Sequence, residues 1–400
     1  MSLHDAIEAE QARAPSAAKR HAGEWPAAVT LDADGTGVAT TPPTQAASAD
    51  ERMLLEGWLL DPDEWRIIPG TLTVNRWHTT VDGVPTWLHQ YKARVERSTV
   101  ATYTADALFR KLPKITPRVT EGDSTFVVNL ADWQIGKALE RGGGTPETIE
   151  RIRTSDAAAH ARYRNLRRSG VAFSGVAVVG LGDLAERCSN NYASQAFTTD
   201  LDEREQERVV VRLLRDIVIG WARTGPLVVA CVGGNHGENR GPGGKAFTTP
   251  GDNRDVSVFE RVAEMLAMDP DSYGHVRWHV PDQELTICLD LSGVRCAWTH
   301  GHLAKGGAPA VALPKWWQGQ SFGRVPVDGE GSVSIADADV LTSGHYHHLV
   351  QMDLGGRTWL QAPAQDGGSG WYERQTGAHS RTGCLTYVVG PDGLSNVEVV

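Results

Sequence analysis

FVVNLADWQ at 126–134, VAVVGLGDLAER at 176–187 and PLVVACVGGNHGE at 226–238 follow one pattern: a short valine-rich apolar run, then a turn carrying polar side chains that can bind metal. Runs of this length and β-branched content predict buried strands. Two later runs, VRCAWTHGH (294–302) and ADVLTSGHYHH (338–348), end the same way. Segments of helical period separate the early runs, at 146–169, 202–224 and 255–268. This alternation predicts an α/β sheet, and the turns at Leu291-Ser292-Gly293, Leu354-Gly355-Gly356 and Pro391-Asp392-Gly393 predict antiparallel hairpins after it. Residues 119–400 are therefore expected to form one α/β sandwich ending in antiparallel strands.

Upstream the character changes. Residues 1–50 are rich in Ala, Thr, Pro and Asp and are expected to be disordered. LDADGTG (31–37) opens like a calcium loop but lacks the later ligands. Residues 51–118 are expected to form a small α+β module: 51–65 has helical period, and 74–95 reads as two strands around Val81-Asp82-Gly83. Its Lys92, Arg94, Arg97, Arg110, Lys111, Lys114 and Arg118 interleave with Trp87, Tyr91, Tyr103 and Phe109. That mixture suits a nucleic-acid surface, and equally a solvated face over a small aromatic core.

The 400 residues carry 39 Lys and Arg against 49 Asp and Glu, a net charge of -10 that argues against coating nucleic acid by bulk charge. It leaves room for an enzyme that gathers carboxylates around cations. No apolar run nears the roughly 20 residues of a membrane helix. The first twenty residues lack the apolar centre of an export signal, so a cytoplasmic setting is expected, the host's if the chain is phage-encoded. Five cysteines without C-x-x-C spacing offer neither a disulfide scaffold nor a thiolate zinc site.

Open α/β sheets build their sites at the carboxyl ends of strands. Five such ends carry Asp132 with Gln134; Asp183 with Glu186; Asn235 with His236; His300 with His302; and His345, His347 and His348. Carboxylates, amides and imidazoles without thiolates suit Mn, Mg, Fe or Zn. One carboxylate can bridge two such ions about 3.5 to 4 Å apart.

In chain order, Asp132-Trp133-Gln134, Gly182-Asp183-Leu184-Ala185-Glu186-Arg187, Gly234-Asn235-His236-Gly237-Glu238, His300 and Gly344-His345-Tyr346-His347 resemble the signature of the calcineurin-like metallophosphoesterase superfamily: D-x-H, G-D-x-x-D-R, G-N-H-[DE], a lone His and G-H-x-H. The resemblance spans roughly residues 124–362. It implies a four-layer αββα sandwich and two divalent ions, manganese foremost. Asp132, Gln134 and His347 would serve the first ion and Asn235, His300 and His345 the second, with Asp183 bridging. It further implies that His236 is the catalytic, non-ligating histidine, that Glu186 orients it, that Arg187 acts as an electrostatic clamp, and that a hydroxide held between the ions is the nucleophile.

Three positions depart from the pattern. Gln134 stands where the family has His, and an amide oxygen is the weaker donor. Glu186 is one methylene longer than the usual Asp, and Gly237 replaces the usual acid, with Glu238 one step late. His302 and His348 adjoin the motifs without being required by them and read as surface or supporting groups. His78, His89, His160, His275, His279 and His379 have no convergent partners in sequence and read as structural or exposed. Arg141-Gly142-Gly143-Gly144-Thr145 lacks the G-K-[ST] ending of a phosphate loop and reads as a turn.

For substrate, the Gly-rich stretches around Asp183 and His236 are similar to phage and prokaryotic proteins resembling the nuclease subunit of double-strand-break repair complexes. The basic-aromatic module and Arg151, Arg153, Arg162, Arg164, Arg167 and Arg168 on one helix suit phosphate tracking, and Lys315-Trp316-Trp317-Gln318 could stack on a base. The expected function is a divalent-metal-dependent phosphodiesterase, a DNA endo- or exonuclease, with an ATPase subunit or a second copy of the chain as partner. A phosphatase or nucleotide phosphodiesterase on small substrates, and a non-catalytic binding protein on a degenerate scaffold, are the alternatives.

Overall fold

The structure is a computed structural model that describes residues 28–31, 36–45, 51–62, 65–68, 71–81, 83–97, 112–138, 143–189, 191–192, 195–241, 244–329, 333–368, 377 and 381–400. It divides into two compact units, Met1–Phe109 and Arg110–Val400, so the boundary falls a little before the expected residue 118. Tyr103, Phe109, Arg110, Lys111, Arg141, Gly142 and His379 lie outside the described residues, as do 32–35 of the calcium-like stretch.

The first unit contains β1 (Ala28–Leu31), β2 (Thr36–Thr40), α1 (Glu51–Gly57), β3 (Trp65–Ile67), β4 (Thr73–Val81) and β5 (Val84–Arg97). The long β5 is its spine: β2, β3 and β4 all pair with it antiparallel, and β1 extends the sheet from β2. Tyr91, Ala93 and Val95, two apart and therefore on one face, pack with Ala39 and with Leu54, Leu55, Trp58 and Trp65. Residues 28–31 and 36–40 are thus not the disordered chain expected of 1–50. Their small Thr, Gly and Ala residues carry little hydrophobic signal alone, and the burial comes from β5 and α1.

The second unit begins with alternation: β6 (Ser124–Leu130), α2 (Thr145–Arg168), β7 (Phe173–Gly180), α3 (Glu203–Ala222), β8 (Leu227–Cys231), α4 (Arg254–Ala267), α5 (Pro270–Tyr273) and β9 (Val276–His279). It continues with β10 (Thr286–Leu291), β11 (Val294–Thr299), α6 (Pro309–Gly323), β12 (Pro326–Gly329), β13 (Val333–Ser334), β14 (Val340–Ser343), β15 (Val350–Asp353), β16 (Thr358–Gln361), β17 (Leu385–Gly390) and β18 (Gly393–Val399). Strands β6 to β9 run parallel in one sheet of order β18-β17-β6-β7-β8-β9. The other sheet has the order β13-β12-β10-β11-β14-β16-β15, with β11, β14 and β16 parallel.

The two sheets face each other across one core. Val127, Val179 and Val228 of the first meet Ile287, Trp298, Val340 and Leu360 of the second. Alternate residues point the other way. Phe126 packs with tilted rings against Tyr163 of α2 and Trp221 of α3, while Cys288, Ala297 and Leu341 pack under Leu313 and Trp317 of α6. Trp221, Trp298 and Trp359 are fully buried, so the two sheets and their helices are locked by large side chains whose truncation costs about 3 to 5 kcal/mol each.

Candidate metal centre

Parallel neighbours release their chains at the same edge, so the turns after β6, β7 and β8 meet. The turns after β11 and β14 meet there too, because Thr299 and Ser343 pair in register. The five motif turns therefore converge, although their residues are spread from 132 to 347.

The backbone is forced to make these turns tight. Asp132, Gln134, Asp183, Arg187, His345 and His347 all lie in the left-handed region, with φ of 47°, 43°, 54°, 67°, 72° and 61°. Left-handed non-glycine residues cost of order 1 kcal/mol each and persist where surrounding contacts over-determine them. Here each turn is pinned to its neighbour: Gln134 N–H donates to Asp183 carbonyl at 3.0 Å, and His345 N–H to the Asp132 carboxylate at 3.0 Å. Gly344 is required at its position, since a Cβ there would lie 2.7 Å from Asp132 Oδ2.

Three atoms that all prefer to accept come together around His300. Its Nδ1 is 2.7 Å from the Leu181 carbonyl, which can only accept, so the proton sits on Nδ1. The other nitrogen, Nε2, lies 3.0 Å from Asp183 Oδ2 and 3.0 Å from Asn235 Oδ1. A buried lone pair facing two oxygens needs either a proton or a cation between them. In the absence of a metal a proton serves: burial opposes it, yet Asp183 raises His300 to about 9. His345 completes the group, with ligand atoms of Asp183, His300 and His345 all within 4.8 Å of one another. Burial, then the charge on His300, push His345 down to about 2, so it is neutral and able to ligate. These donors fit a divalent ion of the Mn, Mg, Fe or Zn class.

His236 stands beside this group with its own hydrogen bonds. Its backbone N–H donates to Asp183 Oδ1 at 2.7 Å, and Nδ1 is 2.8 Å from the Glu186 carbonyl and 3.4 Å from Glu186 Oε2. Nε2 is thereby directed inward, 4.0 Å from Asp183 Oδ2. Glu186 is buried, which raises its carboxyl, with the imidazole of His236 and the Lys137 ammonium opposing the rise. The hydroxyl of Tyr192 makes a short bond to Glu186 Oε1.

A second chain of contacts runs behind Asp132. His347 lies between two carboxylates, with Nε2 3.5 Å from Asp132 Oδ1 and Nδ1 3.5 Å from Asp366 Oδ2. Burial lowers its pKa, but Asp366 and Asp132 outweigh this and raise it to about 10. Lys137 Nζ is 2.5 Å from Asp366 Oδ2 and 3.0 Å from Gln134 Oε1. The oxygen through which Gln134 was expected to bind metal thus already accepts from an ammonium.

Several of these residues were not expected. Asp255, at the start of α4, accepts from the backbone N–H groups of Asp183, Leu184 and Gly234 at 2.9, 3.0 and 3.0 Å. Asn253 caps α4 and donates to the Gly234 carbonyl at 2.9 Å. Only the polar run Gly251-Asp252-Asn253-Arg254-Asp255 hinted at them. Lys137, Tyr192 and Asp366 left no local signal.

Other expected residues are not brought in. Arg187 turns toward Glu203, 3.4 Å away, in a hollow lined by Leu184, Glu207 and Val258, so its expected role as a clamp has no geometric support. On α2, Arg151 donates to Gln365 carbonyl and Thr148, Arg162 pairs with Glu398, and Arg168 bonds Asn165, which uses up much of the expected phosphate track. Trp317 is buried and Trp316 packs on the same core. His302 Nε2 lies 3.1 Å from Glu238 Oε1 at the edge of the centre. His160 stacks on Trp221 and His275 meets the Ala222 carbonyl, both structural as expected.

No family profile matches the chain, and no curated protein does. Solved structures do. Vps29 from Entamoeba histolytica is 13% identical, with 69% of this chain and 98% of that one covered at a TM-score of 0.28. A predicted phosphoesterase from Streptococcus pneumoniae is 13% identical over 66% and 82% of the two chains, at 0.25. A structure described as a novel archaeal phosphodiesterase is 10% identical over 69% and 99%, at 0.29.

Proposed function

We propose that this chain is a divalent-metal-dependent phosphoester hydrolase, and that its substrate is a phosphodiester of nucleic acid. One observation carries the reading: Asp183 Oδ2, Asn235 Oδ1 and His300 Nε2 converge at 3.0 Å contacts with a proton on the far side of the ring, while His236 stands next to them tied by other bonds. The two facing sheets, with helices against both outer faces, agree with the four-layer αββα sandwich of calcineurin-like metallophosphoesterases, and the five ordered motif turns agree with that superfamily's centre.

Asp183, Asn235, His300 and His345 would hold a divalent ion, manganese in the first instance, which would supply Lewis-acid polarisation of a phosphoryl oxygen and lower the pKa of a water. The chain supplies the rest. Nδ1–H of His236 donates to the Glu186 carbonyl, which fixes the ring and aims Nε2 inward. When Nε2 carries a proton, it is directed to the leaving oxygen and passes that proton over as the P–O bond breaks, so an alkoxide need not leave unprotonated. The Glu186 carboxyl lies 3.4 Å from Nδ1 on the side of the ring away from Nε2, and Tyr192 orients that carboxyl.

Support for nucleic acid comes from the β4–β5 hairpin. Trp77 and Trp87 are exposed there, and the Arg76 guanidinium lies 5.8 Å over the Trp87 ring, a combination on which bases stack. The engaged arginines of α2 favour a second reading, hydrolysis of small phosphoesters. Linear and single-stranded DNA, bis-p-nitrophenyl phosphate and p-nitrophenyl phosphate should be compared with Mn, using the wild type, His236→Ala and Asp183→Asn. Cleavage of DNA by the wild type alone is expected. Activity confined to the small esters would establish the second reading, and equal cleavage by all three proteins would overturn both.

A further inference from the structure

We infer that the centre binds a single divalent ion, at Asp183, Asn235, His300 and His345, and that Lys137 and Gln134 take the place of a second. This rests on the hydrolase reading above and alters what the centre holds.

A lysine ammonium has three N–H bonds and no lone pair, so it can only donate. With Lys137 Nζ 3.0 Å from the Gln134 amide, the atom facing it must be the oxygen. A flipped amide would set N–H2 against the ammonium. The assignment fixes the other end of the group: Gln134 Nε2 faces the centre, 3.5 Å from His236 Nε2. An amide nitrogen has its lone pair delocalised and does not ligate metal. At the position where the motif implies an imidazole ligand, this chain presents a hydrogen-bond donor.

The surrounding contacts point the same way. Lys137 is held by the buried carboxylate of Asp366, at 2.5 Å, so its charge is not free to swing away. That same carboxylate faces His347 Nδ1, whose ring lies between Asp366 and Asp132 at 3.5 Å on each side. Asp132 also accepts the His345 N–H through both oxygens. The Lys137 ammonium thus already answers the Asp366 carboxylate and occupies the Gln134 oxygen, which leaves that side of the centre a bound cation in place of a second dication. Among the described residues, the one group of three or more metal-competent side chains with converging ligand atoms is Asp183, His300 and His345.

Lys137 is on this account a positioning residue, acting through Gln134. The amide N–H2 it aims inward sits beside His236, where it can donate to a non-bridging phosphoryl oxygen, a task otherwise served by a metal.

The test is metal stoichiometry, read by elemental analysis and titration calorimetry with Mn alone on the full chain. EPR separates an isolated Mn ion from an exchange-coupled pair. The wild type should bind one ion per chain and give the isolated-ion spectrum. Gln134→His with Lys137→Met should bind a second ion at least about tenfold more tightly than the wild type does, and give the coupled spectrum. Two equivalents and a coupled spectrum in the wild type would overturn the inference while leaving the hydrolase reading intact. No bound ion together with no hydrolysis would overturn both. The wild-type measurement stands alone if the double variant fails to fold.

Discussion

The carboxylate of Asp255 accepts the backbone N–H of Asp183 at 2.9 Å, so the turn residue at the middle of the candidate centre is held from behind by the first turn of α4. The same carboxylate ties Leu184 and Gly234, and with them the turns after β7 and β8. Its own pKa is raised, burial and the charge of Asp183 outweighing those backbone donors. Asp255→Ala leaves three buried N–H groups without their acceptor, and a loss of at least about 3 kcal/mol is expected in urea denaturation. Asp255→Asn should cost less stability and still lower Mn affinity about 10- to 100-fold by calorimetry. Wild-type affinity in the Asn variant would contradict a role in setting the turns.

Metal binding and proton transfer should separate cleanly. His236→Ala is expected to keep its Mn content and lose about 10²- to 10⁴-fold in kcat on a diester. Asp183→Asn should lose Mn content itself, because His300 Nε2 then faces an amide where a carboxylate stood at 3.0 Å. Metal analysis of the two purified variants, beside their rates, decides the matter.

Tyr192 reaches the centre through its bond to Glu186. Tyr192→Phe should therefore lower kcat on a diester by about 3- to 10-fold, a small part of the effect of losing the acid itself, with KM and Mn content unchanged. Glu186→Gln should also lower kcat with Mn content unchanged, since the carboxylate oxygen 3.4 Å from His236 Nδ1 is gone. A KM change in place of these effects would mean that Tyr192 contacts substrate directly.

Far from the centre, Asp156 and His160 give stability a hidden pH dependence. Burial raises Asp156 from 3.8 to about 6, although Trp221 donates to it. Burial, with Arg164, lowers His160 from 6.5 to about 4. The Asp156 contribution is fully present below about pH 4 and is lost as pH rises through 6. That of His160 is present above about 6.5 and is lost as pH falls through 4. In the wild type the two slopes oppose each other over the same window. Asp156→Asn should then lose about 2 kcal/mol between pH 6.5 and 4.5, whereas His160→Gln should gain a comparable amount over that interval. Urea midpoints at both pH values, differenced against the wild type, measure each slope.

The strands that frame the centre were legible because each buries both faces and so reads as a continuous apolar run, as in VAVVG at 176–180. The motif turns were legible because their residue types and order survive independent of distance. What was hidden depended on proximity across the chain. Asp366 meets Lys137 from 229 residues away, and Asp255 meets Asp183 from 72, with nothing in either neighbourhood to announce it. Gln134 could be seen as a departure, but which of its two ends faces inward is decided by Lys137 alone. Strands β1 and β2 were missed for a different reason, since Thr, Gly and Ala fit a sheet only when β5 supplies the partner.

Six residues of the motif turns hold a backbone conformation that glycine adopts without penalty, with Asp132, Asp183 and His345 among them. Glycine at Asp132 or Asp183 would relieve the backbone yet strip the N–H of His345 or His236 of its acceptor, so the strain of these turns is tied to the side chains the centre needs. Directed evolution of this protein therefore has to screen for turnover from the first round, because at these turns backbone ease and chemistry select opposite letters.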